Sequence, residues 1–266
     1  MISLTLFLTT ARKNWKLLVV FLAVLSMYLT VMAAMYEPED ITVITDMLKL
    51  FPENLMKAMR FSGLITGLTS YLASWLYGLL MLGFPMVYCV IMSNRLVAKM
   101  VDNSSFAYLL STPNSRNKII FTQGLYALLS VAVIFVYVFA LGVIICEAAF
   151  PGELDIGAFI NLNLTTMLVN MVVIMIGFFA SCLFNDTRRS LGLGAGLPIA
   201  FLMMNMLGGA SPDAEILTKI SIYGFYNPME LVENGAETWV NPAYLGMIVV
   251  LFAASMLVFN KKRLPL

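Results

Sequence analysis

The sequence predicts an all-α membrane protein with six transmembrane helices. Three observations carry that reading. The 266 residues are 61% hydrophobic and 12% charged, with a mean hydropathy of +0.89. A soluble globular domain is about 45–50% apolar and about 25% charged. Six apolar runs are long enough to cross about 30 Å of hydrocarbon as helices, and none alternates apolar and polar residues as membrane-barrel strands do.

The elements follow in order. In residues 2–11, Leu4, Phe7, Leu8 and Ala11 share a helical face. The segment is too short to span, so an N-terminal interfacial helix is expected there. The basic cluster Arg12, Lys13 and Lys16 follows it, the reverse of the order in a cleavable signal peptide. The spans are 17–36, 68–92, 119–145, 159–184, 191–207 and 243–259. Pro85 in the second and Pro198 in the fifth each remove a backbone donor and favour a kink. Between spans, Pro52 suits the first position of a helix that groups Leu55, Met56 and Met59 on one face. The connection 208–241 carries "YGFYNPMELVENGAE" and is expected, like the loop 37–67, outside the bilayer as a cover or a cargo contact. Neither a repeat nor a linker divides the chain, so residues 1–266 read as a single transmembrane domain.

Charge orients the spans. With both termini cytoplasmic, only Lys49, Lys57, Arg60 and Lys219 of the 16 basic residues fall outside. Of the 15 acids, only Asp102 and Asp186 fall inside. This is the positive-inside distribution.

Several chemistries are excluded. The chain has no His, which removes HExxH-type metal centres and the commonest general base. Cys89, Cys146 and Cys182 form no CxxC pair and sit in or beside apolar runs, as small buried residues do. No GxxxxGK[ST] phosphate loop is present; Gly192, Gly194 and Gly196 in "GLGAGLP" open a span and suit close helix packing. No ionisable residue stands at mid-span, where proton- and ion-coupled carriers place theirs. No catalytic, metal or nucleic-acid site emerges. The polar residues left in the spans are neutral: Asn163, Thr166 and Asn170 on one face of the fourth, and Asn205 in the fifth. They suit either the lining of a pathway for an amphipathic cargo or hydrogen bonds between helices.

The inside loop 93–118 is the longest on its side. Asp102 or Asn103 suits an N-cap, Phe106, Leu109 and Leu110 share a face, and Pro113 stops the helix. A short amphipathic helix is expected, lying on lipid headgroups or filling a groove on a partner.

The run "NRLVAKMVDNSSFAYLLSTPNSRNKIIFTQ" at 94–123, and "LLSTPNSR" within it, resembles the permease subunits of ABC-2 type ATP-binding-cassette exporters. The six-span layout and "KISIYGFYNP" before the last span are similar to bacterial, mainly Gram-positive, members. The resemblance implies the type V exporter-like architecture and a cytoplasmic coupling helix over about 102–110. It implies Asp102, Ser105, Phe106, Tyr108, Leu109, Leu110 and Arg116 as contacts to the ATPase. It implies two ATP-binding subunits carrying ATP and magnesium, with no cofactor on this chain, and a second permease, identical or homologous. The site is then a bacterial plasma membrane, and the cargo an antimicrobial peptide, an antibiotic or another amphipathic or hydrophobic molecule. The rival reading is a sensor or assembly subunit that docks the same partner without transport.

Overall fold

The structure is a computed structural model that describes residues 2–37, 50, 65–111, 114–210 and 214–262. The expected helix from Pro52, with Leu55, Met56 and Met59, lies outside the described residues, as do Thr112, Pro113 and Arg263. Among the described residues the chain is helical without strands. The elements are α1 (Leu4–Ala34), α2 (Leu68–Trp75), a π-helical turn (Leu76–Leu80), α3 (Met81–Leu96), α4 (Ala98–Asp102) and α5 (Phe106–Leu110). After them come α6 (Arg116–Ala149), α7 (Ile156–Leu183), α8 (Thr187–Ala210), α9 (Glu215–Ile220), α10 (Pro228–Glu233) and α11 (Val240–Lys261).

Six helical runs of 22 to 35 residues are long and apolar enough to cross a membrane: α1, α2 through α4, α6, α7, α8 and α11. At 1.5 Å per residue each exceeds about 30 Å. Helices cover all six expected spans, with α1 ending at Ala34 and α7 at Leu183, just short of the expected 36 and 184.

α7 is the most enclosed span and packs against α3, α6, α8 and α11. Its Val169, Val172, Val173, Ile174, Met175 and Phe178 are buried in one continuous apolar core. α1, α8 and α11 instead turn bulky side chains outward, such as Val20, Met203 and Val250. In a bilayer those faces meet acyl chains, so their exposure costs nothing.

Two ends are distinct. At the basic end, Arg116 Nη1 donates to Lys262 O (3.1 Å) and Lys262 Nζ donates to Cys182 O (3.0 Å) and Phe184 O (2.6 Å). These bonds draw together the start of α6 and the ends of α7 and α11. At the opposite end Tyr36 packs on Tyr71 and Phe150, with ring centroids 5.4 and 5.0 Å apart. Burial, and then the Glu153 carboxylate that its hydroxyl meets, push the Tyr36 phenol up to about 12.

One expectation is corrected. Residues 2–11 do not form a separate interfacial helix; α1 runs unbroken from Leu4 to Ala34. No Gly or Pro interrupts it, and Thr9 and Thr10 fold their hydroxyls back onto the carbonyls of Thr5 and Leu6. Its first turns are held on α6, where Ser3 N donates to Thr122 Oγ1 (3.1 Å) and Phe7 meets Tyr126 edge-on at 5.6 Å.

The segment between α8 and α11 packs closely onto the spans. α9 packs back along α8, and Ser221 Oγ donates to Phe201 O (2.8 Å), nine residues short of the end of α8. Tyr223 OH reaches Met86 Sδ (3.7 Å) within α3, and Ser74 Oγ bonds Met229 Sδ (3.0 Å) on α10. Tyr223 and Tyr226 of "YGFYNP" are thus buried plugs, with their hydroxyls on acceptors inside the bundle, whereas Phe225 between them is exposed.

Candidate functional site

Two clusters follow from this packing. The first is the turn segment α4–α5 at the basic end. Asp102 does not cap α5; its Oδ2 accepts from Thr187 N (3.4 Å) at the start of α8. Asn103 takes the local role, its Oδ1 accepting from Ser105 N (3.2 Å) and from the Ser105 hydroxyl. Ser104 is left-handed at φ 58°, which turns the chain sharply between the two short helices.

Phe106 is corrected from a docking contact to a core residue. It is 0% exposed and its ring lies 5.1 Å from that of Phe259 at the end of α11. The helical spacing of Phe106 and Leu109 is as expected, but their shared face points into the bundle, and Leu109 is half-buried. Tyr108 takes the outer side, 80% exposed. Leu110 ends the helix. Arg116 is likewise engaged within the chain, through Lys262 O. The segment is therefore tied to α8 by Asp102 and to α11 by Phe106, while Tyr108 is presented to an outside surface.

The second cluster lies at mid-bundle. Pro85 has no N–H, so the Met81 carbonyl loses its helical donor. Asn170 Nδ2 donates to that carbonyl (3.2 Å) and also to Thr166 O (3.0 Å). Cys89 Sγ approaches Asn170 O at 3.5 Å. The Thr166 hydroxyl lies 2.9 Å from that of Tyr226, which donates to Tyr77 O (2.9 Å) in the π turn. Asn163 Nδ2 donates to Phe135 O (3.0 Å) on α6. Asn163, Thr166, Asn170 and Asn205 are all buried. Asn163 and Asn170 make their ties through Nδ2, and Thr166 through its hydroxyl. Asn163 also borders an apolar groove of about 330 Å³ with Phe135, Phe139 and Met167.

Close packing completes this node. A Cβ on Gly194 of α8 would lie 3.1 Å from Gly177 Cα of α7, and a Cβ on Gly177 would meet the Ser93 side chain of α3. Gly192 and Gly196 face open space, so only one glycine of "GLGAGLP" has the packing role expected for all three.

The family model described as ABC-2 family transporter protein matches residues 7–264. The chain belongs to that family. A search of curated proteins and of solved structures finds no match. This ABC-2 chain is thus the membrane-spanning permease of an ABC transporter, a multi-pass protein whose ATPase is a separate partner subunit. Sequence reasoning missed Tyr226 and the Pro85–Asn170 pairing. The signal available was the spacing from Pro85 back to Met81, which marks a carbonyl in need of a donor.

Proposed function

We propose that this ABC-2 permease is half of the membrane part of an ATP-driven exporter in a bacterial plasma membrane, with both termini cytoplasmic. Two permeases, identical or homologous, pair with two ATP-binding subunits that carry ATP and magnesium. Residues 102–110 are the coupling helix. The observation that carries this reading is the division of labour between neighbours: Tyr108 is exposed, whereas Phe106 is seated on α11 and Asp102 on α8. A partner that pushes on Tyr108 moves a segment gripped by two spans and continuous with a third. Closure of the ATPase pair then biases the bundle between two arrangements. The Arg116 contact to Lys262 makes this residue a support of the segment.

The cargo is an amphipathic or hydrophobic molecule, such as an antimicrobial peptide or antibiotic. The neutral spans support this, since they offer no embedded carboxylate or cation for a small ion. The test is co-reconstitution with the ATP-binding subunit in vesicles, reading ATP hydrolysis and net cargo movement together. Cargo-stimulated hydrolysis with net movement, both lost in Tyr108→Ala, is expected. Stable docking with no net movement of any amphipathic cargo would establish the sensor or assembly reading instead.

A further inference from the structure

Beside the turn segment lies a half-open cavity of about 460 Å³, bordered by α1, α3, α4, α5 and α6. Three cations line it: Lys13 from α1, Arg95 from the last turn of α3, and Lys99 from α4. No carboxylate lines it, and among the described residues none of the three is in an ion pair. Buried Asn14 and Gln123 supply polar groups, while Leu6 and Met100 give it apolar wall.

We infer that this cavity binds the phosphate headgroup of an anionic phospholipid. Three like charges gathered around one recess repel one another, and a bound anion removes that cost. The apolar wall selects a lipid over a free anion, because a soluble phosphate leaves Leu6 and Met100 against water. The level also fits. Lys13 precedes the apolar run that begins at Leu17, and Arg95 follows the run of the second span. These cations therefore flank hydrocarbon, where acidic headgroups lie. The bound headgroup would touch Tyr108 and Leu109 as well as α1, joining lipid composition to the posture of the turn segment. The inference rests on the chain's place in a bilayer and not on its transporting anything.

The experiment embeds the full chain in nanodiscs of phosphatidylcholine and phosphatidylglycerol and reads the lipids that stay bound by native mass spectrometry. Phosphatidylglycerol is expected to be retained over phosphatidylcholine by roughly tenfold or more. Lys13→Gln/Arg95→Gln/Lys99→Gln is expected to abolish that preference. Arg12→Gln/Lys16→Gln, equal in kind but outside the cavity, is expected to keep it. Lys99→Gln alone, at an exposed position, gives an intermediate loss even if the triple variant fails to fold, and Lys99→Arg restores retention. Millimolar inorganic phosphate leaves the lipid in place. Equal retention of both lipids, equal loss in the Arg12/Lys16 control, or displacement by inorganic phosphate would overturn the proposal.

Discussion

Asn170 supplies the hydrogen bond that Pro85 removes: its Nδ2 donates to the Met81 carbonyl, which a proline four residues on cannot reach. The pair fastens α7 to the middle of the second span. Asn170→Ala leaves that carbonyl buried without its donor, at a cost of about 1–3 kcal/mol. Pro85→Ala restores an N–H to α3 and makes Asn170 redundant. The loss from Asn170→Ala is therefore smaller in the Pro85→Ala background, with a coupling of about 0.5–3 kcal/mol. Thermal unfolding of the four proteins in one detergent measures it. Strict additivity would show that the two residues act separately.

Neighbouring aromatic residues in α5 have opposite tasks. Phe106→Ala empties a buried site against Phe259 and is expected to cost about 3–5 kcal/mol. Tyr108→Ala, at an exposed site, should stay within about 0.5 kcal/mol of the parent. Its effect appears in cargo-stimulated ATP hydrolysis of the assembled transporter. Melting temperatures and hydrolysis rates, taken together, separate the two. A Tyr108→Ala complex with full coupling would move the dock elsewhere.

Glycine spacing gives a sharp contrast within one run. Gly194→Ala forces α8 away from Gly177, and overpacking of this kind costs about 1–3 kcal/mol. Gly192→Ala and Gly196→Ala point into open space and gain helix propensity, so neither should destabilise. Unfolding temperatures of the three single variants decide this. Equal losses in all three would mean that α8 also packs through the other two glycines.

Hydropathy locates six spans because length and apolarity suffice to define a bilayer crossing, and Pro85 stood out for the same local reason. Partner choice was not legible. Periodicity groups Phe106 with Leu109 but does not say which way their face points; only the approach of Phe259, more than 150 positions away, decides it. The segment around Tyr223 and Tyr226 reads as an outside connection because it joins two apolar spans on the acid-rich side. In the fold the two tyrosine hydroxyls find acceptors in Met86 and Tyr77, so the same residues become buried plugs. The lining cations are separated likewise, with Lys13 far from Arg95 in sequence and beside the same cavity in space.

Lys262 adds a dependence on pH. Burial lowers its pKa from 10.5 to about 8, partly offset by Cys182, even as its Nζ caps the carbonyls of Cys182 and Phe184. The folded chain thus releases this proton before the unfolded chain does. Between about pH 8 and 10.5 the unfolded state binds more protons, so stability from this group rises with pH across that window and is level below it. Lys262→Gln removes that rise while keeping an amide donor for the end of α7. Melting curves of both proteins from pH 7 to 10.5 are expected to converge in slope only below about pH 8. Identical slopes throughout would mean that Lys262 is solvated in the bilayer and that the end of α7 is held by other groups.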